Sequence, residues 1–371
     1  RGGGRGPPAG GRGRGGGGGR FIIPEAIPED RVVQPFCDHT GGARAVVSDV
    51  PIPHIDINNV LINTGRNAPA NIYTTSCKPV SDELQQRLNT IKLSYNGRNL
   101  QNLKYITFLA EGSFGYAVKY SSKPDKTDDD YIGVVVKIFK EIDIPARSEI
   151  AIVNLLKERR ESADGRFYCN TVTAKSLILP ITGEVIIVME LMDGDLQDLV
   201  NRSRTRLTDA SIFSIIKEVV EDLKCLDDNG YIYTDIKVEN VLYKMTTRQT
   251  IVSLGDLGSI IEKDQLGGGF GFTFISIEHL PSRQFSDSDV IWAVGCTIIQ
   301  MLFILFEEND IFEEIVVHTR WQTYNSFGTP NDYYTRLNEI LRNLLDRSHI
   351  SQNMYRLLRA TLRREENRTD Y

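Results

Sequence analysis

Apolar and polar residues follow two different patterns along the chain, and the change between them falls near residue 205. From about residue 101, short β-branched runs predict strands, namely KYITFLA, GYAVKYSS, IGVVVKIFK and EVIIVMEL. One helical pattern lies among them, near 146–160. After residue 205 long helical patterns dominate, interrupted by GYIYTDIKVENVLY and QTIVSLGDLGSI. A strand-rich block followed by a helix-rich block predicts an α+β domain with two lobes.

The N-terminal residues 1–20 have a different composition, rich in arginine and glycine. They lack the apolar side chains needed to build a core, so we expect this segment to be disordered. The segment holds five arginines and no acid, whereas the whole chain carries a formal charge of −6, so the remaining body is acidic. An acidic body argues against a nucleic-acid platform there. For the segment itself, RNA contact and a flexible linker are both open.

Residues 21–100 read as an extension that contains one helix. Its signals are a cap, an acidic first turn and one apolar face, formed by Ser81, Asp82, Glu83, Leu84, Leu88 and Ile91. We expect this extension to pack on the domain that follows and to take no part in the chemistry.

The five cysteines are widely spaced and include no C-x-x-C pair. This spacing predicts a reducing compartment, with neither a disulfide framework nor a zinc site. We therefore expect a cytoplasmic protein.

One run, VIWAVGCTIIQMLFILF at 290–306, is apolar enough to suggest a membrane span. It is short for a bilayer, contains Gln300, and is followed by Glu307 and Glu308 with no basic flank. A helix that is apolar on every side is more simply the buried centre of a helical lobe, and we expect no membrane partner.

The stretch YIYTDIKVENVLY, residues 231–243, places Asp235, Lys237 and Asn240 between two apolar runs. Such a polar loop is either a plain hairpin or a loop that holds catalytic groups. Downstream, LGDLGS places Asp256 in a glycine-flanked turn. Two carboxylates and an amide at neighbouring strand ends suit Mg²⁺, which prefers oxygen ligands and bridges phosphates.

Three weaker signals precede this stretch. LAEGSFGYA sets Gly112 and Gly115 between two predicted strands, where backbone amides would cradle an anion or simply close a hairpin. Lys137 lies in the apolar run VVVKIFK, and Glu149, twelve residues later, is placed to pair with it. A hairpin turn, an edge lysine and a surface ion pair would each explain one of these signals. Their common order and spacing favour a single site.

Taken together, these motifs resemble the eukaryotic-type protein kinase family over about residues 104–371. The resemblance implies that Lys137 holds the ATP phosphates with Glu149 as its partner, and that Asp235 deprotonates the substrate hydroxyl while Lys237 steadies the transferred group. It implies Asn240 and Asp256 as Mg²⁺ ligands. Its nucleotide-binding positions are Ala110, Gly112, Ser113, Gly115, Lys137, Met189, Glu190, Met192, Asn240 and Asp256.

Several positions depart from the family pattern. Ala110 replaces the first glycine of the loop, and Tyr233-Thr234 replaces the His-Arg pair before Asp235. Asp289 lies one residue early in the long apolar helix, which puts its bracing of the catalytic loop in doubt. These departures touch scaffolding and regulation, whereas the groups that contact phosphate, metal and hydroxyl are all present. The resemblance also implies an ion pair between Glu278 and Arg368.

The resemblance therefore implies an ATP- and Mg²⁺-dependent Ser/Thr protein kinase acting on protein substrates, with a non-catalytic pseudokinase or scaffold as the alternative. Its divergence resembles kinases of large cytoplasmic DNA viruses. The expected organisation is a disordered segment 1–20, an extension 21–100, an N-lobe 101–192 and a C-lobe 193–371.

Overall fold

The computed structural model describes residues 55–56, 81–96, 100–112, 114–122, 132–161, 169–180, 182–203, 207–246, 249–263, 273–279, 282, 285–306 and 330–363. The Arg/Gly-rich segment 1–20 and most of the extension before Ser81 lie outside these residues.

The first lobe is built on one seven-stranded sheet in the order β1-β2-β3-β4-β5-β7-β6. Only β1 and β2 pair in parallel; the other neighbours are antiparallel. The strands are β1 Ile55–Asp56, β2 Leu93–Asn96, β3 Leu100–Glu111, β4 Gly115–Ser121, β5 Gly133–Phe139, β6 Ala174–Ile178 and β7 Val185–Glu190. Helix α2, Ile144–Glu161, lies between β5 and β6 in sequence.

Helix α1, Asp82–Thr90, is capped at its N-terminus by Ser81, as the sequence predicted. The Ser81 side chain accepts a hydrogen bond from the Leu84 amide. Leu84 and Leu88 are buried against one face of the sheet, in a cluster with Val118 and Val136. The described part of the extension therefore forms a layer of the first lobe, and β2 adds a strand beside β3.

Successive side chains of β5 point to opposite faces of the sheet. Val134, Val136 and Ile138 belong to the cluster beneath α1. Because successive strand residues point to opposite faces, Lys137 projects from the opposite face. That face is the one turned toward α2 and the second lobe.

The second lobe contains the helices α3 Leu196–Ser203, α4 Asp209–Asp228, α5 Asp287–Phe306, α6 Pro330–Asp346 and α7 Gln352–Thr361. Its short strands are β8 Gly194–Asp195, β9 Tyr231–Tyr233, β10 Val241–Met245, β11 Thr250–Leu254 and β12 Ile260–Glu262. Together with the sheet of the first lobe, these elements confirm the predicted two-lobed α+β fold.

Helix α5 forms the centre of the second lobe, with Trp292 and Ile298 fully buried. A Cβ atom at Gly295 would lie 2.5 Å from Thr361 Oγ1, so glycine lets α7 approach closely. Among the described helices, only α5 is long and apolar enough to cross a membrane, and most of it is buried inside the protein. The prediction of a buried core helix is confirmed.

The pairing of the short strands decides between a hairpin and a catalytic loop at residues 231–243. Strand β9 pairs with β12, whereas β10 pairs with β11 and β8. The two strands that flank the polar loop therefore do not pair with each other, and the hairpin interpretation is wrong.

The prediction of no disulfide is also wrong, because Cys169 and Cys225 are joined with an S–S distance of 2.03 Å. They are 56 residues apart, so spacing could not reveal that the loop after α2 packs against α4. Beside the bridge, the Asn170 amide donates to the buried Asp222 carboxylate at 2.9 Å, and Thr171 bridges to Leu254 at the end of β11. The disulfide thus joins the loop that follows α2 covalently to the second lobe.

Reducing this disulfide is expected to lower the free energy of unfolding by about 4 kcal/mol, since it closes a loop of more than fifty residues. Urea unfolding with and without dithiothreitol measures the change, and Cys169→Ser/Cys225→Ser should match the reduced protein and ignore the reductant. Cys296→Ala is the control that stays sensitive, because the buried Cys296 is not part of the Cys169–Cys225 bridge. Identical unfolding of oxidised and reduced wild-type protein would contradict the stabilising role.

Candidate active site

Lys137 and Glu149 form the contact that joins the sheet to helix α2. The Lys137 Nζ atom lies 2.6 and 2.7 Å from the two carboxylate oxygens of Glu149, which is buried on the second turn of α2. Burial would lower the pKa of Lys137, but Glu149 and Asp256 outweigh it and the pKa is raised. The lysine is therefore held as an ammonium ion.

Asp256 follows β11 and meets this pair from the second lobe. Its Oδ1 atom lies 3.4 Å from Lys137 Nζ, and its Oδ2 atom accepts a hydrogen bond from Ser259 Oγ at 3.2 Å. Its φ of 36° is in the left-handed region, which is uncommon for a residue other than glycine and indicates a constrained backbone at this site. Gly258 lets Glu149 pack closely, since a Cβ there would lie 3.1 Å from its carboxylate.

Asp235 lies in the loop between β9 and β10, and donors surround its carboxylate. Lys237 Nζ and Asn240 Nδ2 contact Oδ2 at 2.6 and 2.9 Å. The Thr273 amide donates to Oδ1 at 3.0 Å, and Lys237 also reaches Thr273 Oγ1 at 3.3 Å. The three sequence-predicted residues of this loop are thus one hydrogen-bonded group, completed by Thr273 from a distant segment.

Tyr233 and Thr234 link this loop to the turn that holds Asp256. The buried Tyr233 hydroxyl donates to the Gly255 carbonyl at 2.6 Å, and burial raises its pKa well above the usual value, so it remains a donor. Thr234 donates from its amide and its hydroxyl to the Ser259 carbonyl at 2.9 and 3.1 Å. The two residues that make these neutral hydrogen bonds stand at the positions where the family pattern has His-Arg.

Helix α5 supports the loop that holds Asp235 through two side chains that are not among the predicted site residues. Thr297 Oγ1 donates to the Ile236 carbonyl at 3.3 Å, and the Val238 amide donates to Gln300 Oε1 at 3.2 Å. The two side chains lie about two and three turns after Asp289 on the same helix. Their polar atoms inside an apolar run were the available sequence signal.

Among the residues that the structure describes, Asp289 binds the segment around residue 276 and the Ser286 amide and makes no hydrogen bond to the loop of Asp235. Its Oδ1 accepts from the Ser276 amide at 2.8 Å, and its Oδ2 contacts His279 Nδ1 at 2.6 Å. Nearby, the Tyr334 hydroxyl donates to both oxygens of Glu278 at 2.6 and 2.7 Å. Arg368, the predicted partner of Glu278, lies outside the described residues.

The glycine-rich turn connects β3 to β4. Ala110 pairs with Ala117 across the two strands, and the Gly112 amide donates to the Gly115 carbonyl at 2.9 Å. At Gly115 a Cβ atom would lie 2.5 Å from the Ile138 carbonyl oxygen, so only glycine lets β4 lie this close to β5. Ser113, also a predicted phosphate-binding position, lies outside the described residues.

The predicted adenine-binding positions lie where the first lobe passes into the second. Met189 and Glu190 end β7, and Met192 follows as a buried residue. The Glu190 carboxylate accepts from the Thr173 amide at 2.8 Å, and the Leu191 carbonyl accepts from Lys244 Nζ at 3.0 Å. This crossing is therefore fixed by polar contacts from both sides.

The donor atoms near Asp256 fit a hard divalent cation. Asn240 Nδ2 donates to the backbone and side chain of Asp235, which leaves Oδ1 as the coordinating atom of that amide. Asp256 is partly exposed and supplies carboxylate oxygen. Among the described residues no group of three or more His, Cys, Asp or Glu side chains would hold a metal alone, so such an ion would also need oxygens from a bound phosphate or water.

Comparisons with known proteins show which family this chain is similar to. A family model described as "Protein kinase domain" matches residues 106–368. Cyclin-dependent kinase 11B of Rattus norvegicus is 23% identical over 229 residues, which cover 59% of this chain and 50% of that protein. Protein kinase C eta type of Homo sapiens is 27% identical over 352 residues, covering 82% and 49%. The dual specificity mitogen-activated protein kinase kinase dSOR1 of Drosophila melanogaster is 30% identical over 122 residues, covering 32% and 30%. The chain spans half or less of the length of each of these relatives.

Tyr233→Phe is expected to lower the free energy of unfolding by about 1–3 kcal/mol, because it leaves the Gly255 carbonyl without its buried donor. Urea unfolding measures the loss. Tyr231→Phe in the same strand is the matched control, since its hydroxyl has no hydrogen-bond partner among the residues that the structure describes. Equal losses in the two variants would show that the hydroxyl contact is dispensable.

Proposed function

Because the chain belongs to the protein kinase family, we propose that it transfers the γ-phosphoryl group of Mg-ATP to serine and threonine hydroxyls of proteins, with Asp235 as the general base. The observation that carries this proposal is the assembly of three elements at one place. Lys137 from the sheet contacts both Glu149 from α2 and Asp256 from the second lobe. Phosphoryl transfer depends mainly on such positioning and on the neutralisation of charge.

Asp235 is the residue proposed to take the proton. The substrate hydroxyl oxygen attacks the γ-phosphorus, the bond from that phosphorus to the oxygen bridging to the β-phosphate breaks, and the hydroxyl proton passes to the carboxylate. Lys237, Asn240 and the Thr273 amide hold that carboxylate in one orientation. A base fixed in this way needs no reorientation when the substrate binds.

We propose that Lys137, together with a cation held by Asn240 and Asp256, neutralises the negative charge of the ATP phosphates. Lys137 remains an ammonium ion because Glu149 and Asp256 flank it. Asn240 and Asp256 would hold Mg²⁺, which when bound neutralises charge on the phosphate oxygens. Glu149 keeps Lys137 directed into the site, since the two contacts span both carboxylate oxygens.

Two features favour serine and threonine as the acceptors. Lys237 lies two residues after Asp235, as in the Ser/Thr kinases that the sequence resembles. It contacts both Asp235 and Thr273, so the base is bordered by a compact polar group. We propose that a short aliphatic hydroxyl is the acceptor placed against this base.

The alternative is a pseudokinase that binds nucleotide and partners without turnover. It is motivated by Ala110 and by Tyr233-Thr234. The hydrogen bonds of Tyr233 and Thr234 argue for the enzyme instead, because they join the catalytic loop to the Asp256 turn without a charged arginine. On this basis activity needs no phosphate on the segment that precedes Glu278.

Asp235→Asn and Lys137→Met are each expected to lower γ-phosphate transfer by on the order of a hundredfold or more in protein that is still folded at the assay temperature. Lys137→Met should also lower the melting temperature, because it leaves the buried Glu149 carboxylate without its ammonium partner. Transfer from radiolabelled ATP to a generic Ser/Thr substrate measures the loss. Asp228→Asn and Lys157→Met are matched controls on exposed helix surfaces that should keep full activity. Undiminished transfer by Asp235→Asn would reject the assigned base, and ATP binding without any transfer by the wild type would favour the pseudokinase.

A further inference from the structure

Lys140, the first residue after β5, contacts the glycine-rich turn at four points. Its Nζ atom donates to the Gly112 carbonyl at 3.0 Å and lies 2.7 Å from the Glu111 carboxylate. The same ammonium lies 5.2 Å from the ring centroid of Tyr116. Its backbone amide donates to the Phe114 carbonyl at 2.9 Å. One residue thus holds both arms of the turn and its tip.

The register of the sheet brings Lys140 to this place. Gly115 pairs with Phe139, so the chain leaves β5 directly beside the turn. The absence of a Cβ at Gly115 allows the close approach to Ile138 that this register requires. Lys140 therefore reaches the turn as a consequence of the β4–β5 pairing, three residues after Lys137.

The charge of Lys140 matters because Glu111 borders the same turn. A carboxylate close to bound ATP would repel its triphosphate, and a nearby ammonium reduces that repulsion. The hydrogen bond that the Lys140 ammonium donates to the Glu111 carboxylate raises the pKa of Lys140, so the ammonium form persists at neutral pH. Both groups are partly exposed, so this effect is screened but not removed by solvent.

We propose that Lys140 is a positioning residue that sets the glycine-rich turn over the ATP phosphates and offsets the charge of Glu111. This inference rests on the proposed function, since it assigns a role within that nucleotide site. The turn has alanine at position 110 where the family pattern has its first glycine. Lys140 supplies an additional constraint on this turn before ATP arrives, which lowers the entropy cost of ordering it on binding.

The test compares Lys140→Met, Lys140→Arg and the wild type. Lys140→Met is expected to raise the KM for ATP and the calorimetric Kd for Mg-ATP about fivefold, on the scale of one exposed charged contact, with kcat changed less than about twofold. Lys140→Arg should restore most of the affinity, because arginine keeps the charge and the donors. Lys157→Met is the matched control, since it removes a partly exposed lysine that pairs with Glu161 on α2.

Hydrogen exchange in the nucleotide-free protein gives a second readout. Amides of residues 110–116 should exchange faster in Lys140→Met than in the wild type or in Lys157→Met. An unchanged Kd together with unchanged exchange in a folded Lys140→Met variant would overturn the inference. If the wild type binds no ATP, the proposed function fails, and the exchange comparison alone then decides whether Lys140 positions the turn.

Discussion

The contact of Lys137 with Glu149 and Asp256 is the constraint on which the rest of the site depends. It joins a strand of the first lobe, a helix beside that strand, and a turn of the second lobe. Each partner comes from a different element, so the three side chains meet only when the sheet, α2 and β11 are all correctly placed. Lys137 reaches this point because alternation along β5 sends it away from the cluster beneath α1. The Cys169–Cys225 bridge ties the loop after α2 to the second lobe and limits how far these elements separate.

The catalytic loop is held in a different manner, by neutral hydrogen bonds and by a buried helix. Tyr233 and Thr234 donate hydrogen bonds to backbone carbonyls on either side of Asp256. Thr297 and Gln300 of α5 form hydrogen bonds with the backbone of the loop that holds Asp235. None of these contacts needs a phosphate group or a charged arginine. The geometry around Asp235 is therefore set by packing and by hydrogen bonds within the fold. This is consistent with an enzyme whose control differs from that implied by the family pattern.

Much of this arrangement was predictable from the sequence, because strands and helices leave periodic apolar patterns and the site motifs keep their order. The strands around Lys137, the cap at Ser81 and the buried helix α5 are examples. Contacts between distant segments left no such pattern. The disulfide joins residues 56 apart, and Thr273 meets Asp235 across 38 residues. The one-residue shift of Asp289 put its bracing role in doubt, and its described contacts are with Ser276, His279 and Ser286. A shift of one residue on a helix turns a side chain by about 100°.

Transfer of the γ-phosphate from radiolabelled ATP, compared between the wild type and Asp256→Asn, tests whether Asp256 serves Mg²⁺-dependent phosphoryl transfer. Asparagine keeps the size of the side chain and an acceptor for Ser259, but it removes the charge that faces Lys137 and would bind Mg²⁺. We expect Mg²⁺-dependent transfer by the wild type and a loss on the order of a hundredfold or more in Asp256→Asn, with the melting temperature retained. Equal transfer by both proteins, or none by the wild type at saturating Mg-ATP, would contradict the account.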